Sequence, residues 1–149
     1  MSVTMRRGKN DDMDLDEARA VIAEQHQAVL ATRRADGGVQ MSPVLAVVDA
    51  DGRVVISSRE PAFKVRNLRR DPWAALCVLP DGFFGRWIQV EGEAEIVPPP
   101  RSVEGLVDYY RRATGGEHPD WDDYRAAMLR DQRVLIRVAL TRAGPDRSG

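Results

Sequence analysis

The sequence predicts a mainly β protein, a small antiparallel barrel of six strands with peripheral helices. Two turn signals, "ADGG" at 35–38 and "ADG" at 50–52, separate short apolar runs, and Asp-Gly supplies the positive φ that tight hairpin turns need. Residues 86–97 alternate between apolar and polar side chains, which is typical of a strand with one buried face. Strands and helices do not alternate regularly along the chain, so the pattern disfavours a parallel Rossmann-type sheet.

The first part of the chain predicts one helix and three strands. Asp12 or Asp14 can cap a helix over 14–25, because an aspartate accepts hydrogen bonds from the first N–H groups of a helix. The strands are expected over 28–34, 39–49 and 53–58. Pro43 interrupts the second strand and indicates a sheet edge or a bulge, because proline has no N–H to donate to a neighbouring strand.

The remainder predicts three helices and three strands. A short helix over 62–70 should end before Pro72, because the residue before a proline avoids helical dihedral angles. Two further helices are expected within 102–131, parted by residues 114–120. The strands are expected over 73–79, 86–97 and 133–140, the last with inward-facing Val134, Ile136, Val138 and Leu140.

Composition predicts a single globular domain over 12–143, with flexible tails at 1–11 and 144–149. The chain has 149 residues, 43% hydrophobic and 30% charged, and needs neither a disulfide nor a structural metal to fold. Its one cysteine, Cys77, and the lack of an apolar stretch after the basic N-terminal residues predict a cytoplasmic protein without a membrane partner. A pI near 6.1 argues against nucleic-acid binding.

A local cluster of positive charge stands out in this nearly neutral chain. The segment "REPAFKVRNLRR" at 59–70 holds five cations against one acid, Glu60. When 62–70 is wound as a helix, Phe63 and Leu68 are the expected core anchors, and Lys64 and Asn67 point toward the same side. The remaining arginines of the helix point outward: Arg66, Arg69 and Arg70.

Lys64 therefore invites two interpretations. A lysine near a core face is costly unless it meets an anion or extends its ammonium group to water. The start of the helix, the hydroxyls of Ser57 and Ser58, and the side chain of Arg59 could together form a phosphate pocket. The alternative is a solvated lysine beside a solvated arginine face, and the residue pattern alone leaves both open.

Several segments resemble the pyridoxamine-phosphate-oxidase-like split β-barrel family. They are "ATRRADGGVQMSPV", "VVISS", "EPAFKVRNLRRDPWAALCV" and "WIQVEGEAEIV", within a resemblance that covers about 14–141. The later segment "GEHPDWDDYRAAMLRDQRVLIRV" is similar to the small actinobacterial branch of that family, which binds the deazaflavin coenzyme F420.

The resemblance implies a six-stranded antiparallel split barrel of the FMN-binding type that forms a homodimer with cofactor sites between its subunits. It implies that the phosphate end is held by Lys64, Asn67 and Ser57. It also implies that the ring system lies beside Gln40, Met41, Ser42 and Pro43, and that Trp87 comes from the second subunit. Some relatives carry another basic residue before the lysine, where this chain has Ala62 and Phe63, and Arg59 can compensate.

The function that follows is an F420-dependent oxidoreductase that transfers hydride between the deazaflavin and a small, conjugated organic substrate. Because the cofactor carries that chemistry, no catalytic side chain and no metal site are assigned. Two alternatives stay open: an F420-binding carrier or storage protein without turnover, and an FMN-dependent enzyme like pyridoxamine-phosphate oxidase. A further hypothesis is that the aromatic loop with Phe83 and Phe84 caps the cofactor ring.

Overall fold

The computed structural model describes residues 12–149 and folds them into one antiparallel sheet with four helices around it. The expected flexible tail at 1–11 lies outside the described residues. The strands are β1 (Gln27–Arg33), β2 (Val39–Leu45), β3 (Val47–Val48), β4 (Val54–Arg59), β5 (Trp73–Val78), β6 (Arg86–Val97) and β7 (Arg133–Ser148). The helices are α1 (Leu15–Glu24), α2 (Phe63–Arg70), α3 (Val103–Thr114) and α4 (Trp121–Arg130).

The order of the strands explains why the sheet is curled. The described strands follow the order β2-β1-β5-β6-β7-β4-β3, so β2 and β3 lie at opposite edges. Only Ala46 separates these two strands along the chain, so the two edges must approach each other. β2 and β4 come into contact without pairing, and the gap between them is the split of a split barrel.

The count of six strands was one too low, because the expected strand over 39–49 is two strands. The break falls at the fully buried Ala46, whose N–H donates to the carbonyl of His26 at 2.7 Å. The chain passes here from one edge of the sheet to the other, and one continuous strand could not pair at both edges. Pro43 lies in the edge strand β2, as its missing N–H led us to expect.

The C-terminal segment is a strand rather than the flexible tail expected over 144–149. β7 runs to Ser148, and residues 146–148 pair with residues 88–86 of β6. The long β6 offers backbone partners along its whole length, and β7 follows it with two register shifts. Arg86 adds a bidentate ion pair to Asp146, at 2.8 and 2.9 Å.

The main core fills the barrel, and a smaller cluster lies beneath α3 and α4. All four side chains expected to face inward from the last strand are buried. Helix α2 differs from expectation, because Phe63 is 70% exposed and Val65 is buried together with Leu68. Val65 and Leu68 are three residues apart and share a helix face, whereas Phe63 points away from both. None of the helices among residues 12–149 is long and apolar enough to cross a bilayer.

Candidate functional site

Side chains from two helices reach the edge strand β2 at the split. The Lys64 ammonium on α2 lies 3.4 Å from the Ser42 hydroxyl, in the middle of β2. The Tyr109 hydroxyl on α3 donates to the carbonyl of Leu45 at 2.8 Å, at the end of the strand. These contacts link β2 to α2 and α3, and β1 is its hydrogen-bonded neighbour in the sheet.

Lys64 carries its charge in a partly buried position. Burial lowers the pKa of its ammonium group, and the positive charge of Arg133 lowers it further. Its recorded hydrogen bond is to a neutral hydroxyl, and the carboxylates within residues 12–149 form no ion pair with it. An anion placed here would gain a charge-assisted contact without having to displace a protein carboxylate.

Two arginines lie opposite each other on the neighbouring strands. Arg59 at the end of β4 is the register partner of Arg133 at the start of β7. Like charges in directly opposed positions destabilise a sheet unless something of opposite sign lies nearby. Within the described part of the chain, neither arginine forms an ion pair with a carboxylate.

Arg133 is a site residue that the sequence did not reveal. Its charge lowers the pKa values of Lys64 and Tyr109, which places it close to the split. Burial raises the pKa of Tyr109 and of Tyr124 by more than Arg133 lowers it. The pKa of Tyr124 rises to about 12. The feature that identifies Arg133 as a candidate is its position opposite Arg59. That position is set by the pairing of β4 with β7 and not by a local sequence motif.

Asn67 is close to the split, but its amide is engaged within the protein. It is 7% exposed, and its Nδ2 donates to the hydroxyl of the fully buried Thr32 at 3.1 Å. Its Oδ1 accepts from Arg70 at 3.1 Å, and the Thr32 hydroxyl lies 3.5 Å from Gln40 Oε1. Asn67 thus links α2 to β1 and β2, and the buried Thr32 is a second residue that sequence reasoning missed.

The alternation of β2 divides its four candidate residues between two faces. Gln40 and Ser42 are half-buried and face Thr32 and Lys64. Met41 and Pro43 are exposed on the opposite face, with Met41 at 65%. The two candidate groups therefore cannot contact a ligand from the same side of the strand.

The two serines of β4 are divided in the same way. Ser58 is buried on the side of Val54 and Ile56, which belong to the main core. Ser57 is half-buried on the side of Val55, which belongs to the cluster beneath α3, and its backbone lies near the Tyr109 hydroxyl. Of the pair, Ser57 is the one on the side of Tyr109 and Arg133.

Trp87 lies on β6, three strands away from the candidates of β2. It is half-buried at the start of β6, opposite Arg147. Its side chain shares a face of the sheet with Met41 and Pro43. We call this the open face: its side chains come from four adjacent strands, namely Gln27, Val29, Ala31, Arg33, Val39, Met41, Pro43, Leu45, Trp73, Ala75, Cys77, Trp87, Gln89, Glu91 and Glu93.

A cavity of about 380 Å³ adjoins the split between the β1–β2 turn and α2. It shares Gln40 and Asn67 with the region described above, and its remaining charged lining is mainly basic: Arg34, Arg66 and Arg70, with Asp36. Asp36 already pairs with Arg34 at 3.2 Å. Across residues 12–149 no group of three or more His, Cys, Asp or Glu side chains could hold a metal ion.

The chain resembles known proteins over nearly its whole length. A family model described as pyridoxamine 5'-phosphate oxidase matches residues 15–144. The conserved hypothetical protein Rv2991 from Mycobacterium tuberculosis is 26% identical, with a TM-score of 0.73 and coverage of 93% of this chain and 87% of that one.

Two more distant solved structures share the fold. One is named F420 reductase, at 24% identity and a TM-score of 0.65, with 85% of this chain and 94% of that chain covered. The other is HutZ, the heme storage protein from Vibrio cholerae, at 19% identity and a TM-score of 0.67, with 92% and 98% covered.

Proposed function

The chain belongs to the pyridoxamine 5'-phosphate oxidase family, and from that premise we propose that it is an oxidoreductase that uses coenzyme F420. The phosphate of the cofactor binds at the split between β2 and β4. The substrate is a small conjugated organic molecule that exchanges hydride with the deazaflavin.

The observation that carries the proposal is the set of three cations without a counter-charge. Lys64 contacts β2, the charge of Arg133 acts on Lys64, and Arg59 lies opposite Arg133 in the sheet. None of the three forms an ion pair with a carboxylate of residues 12–149. Ala62 caps α2 without a side-chain hydrogen bond, which leaves the helix start available to an anion. This arrangement fits a phosphate group.

The choice of F420 rests on the additional arginines. F420 has a long acidic tail, which FMN lacks, and the cavity beside α2 places Arg34, Arg66 and Arg70 within reach of the split. The solved structure named F420 reductase has the same fold, and this likeness supports the choice.

Each side chain of the split has a binding or positioning role in this proposal. F420, when bound, supplies the hydride chemistry. Lys64 and the opposed arginines bind the phosphate, and Tyr109 holds the end of β2 so that the width of the split is kept. Asn67 positions α2 against β1 through Thr32, which fixes the direction of the Lys64 side chain.

We also infer that the protein acts as a homodimer joined through the open face. Met41 is 65% exposed and Leu45 is 47% exposed, and both continue into a half-buried apolar area on β1 and β5. A second copy of the chain would cover these exposed apolar side chains. Trp87 lies on this same face, so the interface would bring it to the partner's β2.

Two other functions use the same pocket and are separated by experiment. An FMN enzyme would bind through the same three cations and would not need the arginine-lined cavity. A carrier would bind F420 without passing hydride to a substrate, and HutZ shows by its name that a protein of this fold can serve in storage.

The direct test is a fluorescence titration of the wild type with F420 and, separately, with FMN. Lys64→Ala should weaken F420 binding at least tenfold, about 1.4 kcal/mol. Arg69→Ala is the matched control, because Arg69 points outward and pairs with Glu60 at 2.6 Å, and it should change affinity less than twofold.

Other outcomes would decide against the proposal. Micromolar binding of FMN with no binding of F420 would show that the cofactor is FMN and would contradict the proposal. Stopped-flow oxidation of reduced F420 by a panel of quinones and enones distinguishes an enzyme from a carrier, since a carrier would oxidise it no faster than buffer does.

A further inference from the structure

A second cavity lies between α3 and the sheet, with a volume of about 370 Å³. Its floor is apolar, because Val55, Val97 and Leu135 belong to the cluster beneath α3. A water molecule occupies about 30 Å³ in the liquid, so the cavity has room for a ligand of about a dozen non-hydrogen atoms. The described residues that line it include none of those placed at the split.

A glycine on α3 keeps this space open. Gly105 lines the cavity from the first turn of the helix. A Cβ atom at this position would lie 2.5 Å from Cδ2 of Leu135, so any larger residue would displace the floor of the cavity. The cavity therefore depends on a helix position that has no side chain.

The wall formed by the β3–β4 turn carries an excess of negative charge. Asp49 and Asp51 share one guanidinium nitrogen of Arg137, at 3.3 and 3.1 Å. Arg137 also pairs with Glu95 at 3.4 Å, and Glu95 has a second partner in Arg53 at 2.9 Å. Three carboxylates thus share two arginines. The Asp51 carboxylate is 74% exposed, so it is accessible to a cationic group of a ligand.

The wall at the start of α3 carries a positive charge without a counter-charge. Arg101 lines the cavity just before the helix and is exposed. Within the part of the chain that the structure describes, it forms no ion pair with a carboxylate. Asp108, the acid that α3 contributes to the lining, already pairs with Arg112 at 2.7 Å. Arg101 can therefore bind a ligand carboxylate without displacing one of the protein.

These charges select against a ligand that carries only one sign. A simple anion would be repelled by the excess carboxylate at Asp51, and a simple cation would be repelled by Arg101. A zwitterion has a favourable contact at both walls, and an apolar body gains from burial on the floor. An α-amino acid with an apolar side chain has all three of these features.

We propose that the cavity beneath α3 is a binding site for a free apolar α-amino acid such as leucine. Arg101 binds the carboxylate, Asp51 binds the ammonium group, and the side chain lies on Val55, Val97 and Leu135. The inference goes beyond the proposed function and does not depend on it, because the two sites share no described lining residue.

Isothermal titration calorimetry of the full-length wild type with L-leucine tests the site directly. Two analogues each lack one charge: 4-methylpentanoate has no ammonium group, and 3-methylbutylamine has no carboxylate. Leucine should bind with a Kd below about 1 mM, and each analogue should bind at least about tenfold more weakly. An analogue that binds as tightly as leucine would overturn the assignment of a zwitterion site.

Two substitutions test the residues that bind the charges. Arg101→Gln and Asp51→Asn change exposed side chains, so the fold should tolerate both. Each should weaken leucine binding at least about fivefold, because a charge-assisted contact is lost. Arg130→Gln is the matched control, since Arg130 is an exposed arginine on α4 outside the cavity lining, and it should change the Kd less than about twofold. Wild-type affinity in Arg101→Gln or Asp51→Asn would contradict the inference.

The position of the bound leucine is measured by ¹H–¹⁵N NMR of the labelled protein. Leucine should shift the amide resonances of Gly105 and Asp51, on two walls of the cavity, and leave the amide of Asn67 at the split unchanged. Shifts at Asn67 without shifts at Gly105 would place leucine elsewhere and remove the proposed site.

The outcomes for the two proposals can be told apart. A protein that binds F420 and gives no heat with leucine loses the second site and keeps the proposed function. A protein that binds leucine, but neither F420 nor FMN, keeps the second site and loses the proposed function.

Discussion

Under the proposed function, Lys64 is a binding residue that destabilises the ligand-free protein. Its ammonium group is partly desolvated and its recorded partner is a hydroxyl at 3.4 Å. A charge that loses water without gaining a carboxylate destabilises the fold. An anionic ligand offsets this loss when it binds, so cofactor binding should raise the melting temperature as well as occupy the site.

We therefore expect Lys64→Met to stabilise the cofactor-free protein by less than about 1 kcal/mol, because an apolar side chain replaces a charge that water still partly screens. The lowered pKa means that the charged form is less stable in the folded than in the unfolded protein. That penalty is complete below the folded pKa and disappears as the pH rises toward the ordinary value of 10.5.

Chemical denaturation of both proteins across alkaline pH measures this effect. The difference between Lys64→Met and wild type should narrow as the pH approaches 10.5. A variant less stable than the wild type at pH 7 would show that the ammonium group makes a favourable contact in the free protein.

We expect Asn67 to contribute mainly to the stability of the fold. Asn67→Ala removes the hydrogen bonds to Thr32 and Arg70 and leaves a buried hydroxyl with a weaker partner at 3.5 Å. We expect a loss of about 1–3 kcal/mol in the free energy of unfolding, measured without cofactor. Asn67→Ala with unchanged stability and weakened F420 binding would instead assign the amide to the ligand.

At the scale of the elements, the last residues of β7 stabilise the end of the β6–β7 pair. Residues 146–148 pair with β6, and Asp146 forms the bidentate ion pair with Arg86. A stop after Gly144 should lower the melting temperature by several degrees, since about 1–2 kcal/mol of pairing is lost.

Asp146→Asn in the full-length chain is the matched control for the truncation. It removes the charge that raises the pKa of Arg86 and keeps the strand, so its effect should be less than half as large. A truncated protein as stable as the wild type would mean that the segment contributes no more than a tail.

The proposed homodimer makes the open face the contact between two copies of the chain. Met41→Glu places a charge on β2, at an exposed position of the open face. An interface that buries this position would have to desolvate the carboxylate, which destabilises the dimer. We expect the dimer dissociation constant to rise at least about tenfold, measured by light scattering after size exclusion.

Leu129→Glu is the control for the interface, because Leu129 is a comparably exposed apolar residue on α4, away from the open face. Both variants should retain the far-ultraviolet circular dichroism of the wild type. Equal dissociation constants for the two variants, or a monomeric wild type, would exclude the open face as the contact between copies.

The amino-acid order alone specified most of the elements, because helix and strand periods are local properties of the chain. The alternation of 86–97 and the Asp-Gly turn at 36–37 predicted β6 and the β1–β2 hairpin, and the structure has both. The charge cluster at 59–70 likewise predicted Lys64 as a candidate anion-binding residue.

The remaining features of the fold and of the candidate site depend on strand pairing between distant parts of the chain. The break at Ala46, the extension of β7 to Ser148 and the opposition of Arg59 to Arg133 all depend on which strands are neighbours and in which register. No local period carries that information, since register is set by contacts between residues as far apart as positions 59 and 133. The same reason explains why Met41 and Ser42, adjacent in the chain, face opposite sides of the sheet in the folded protein.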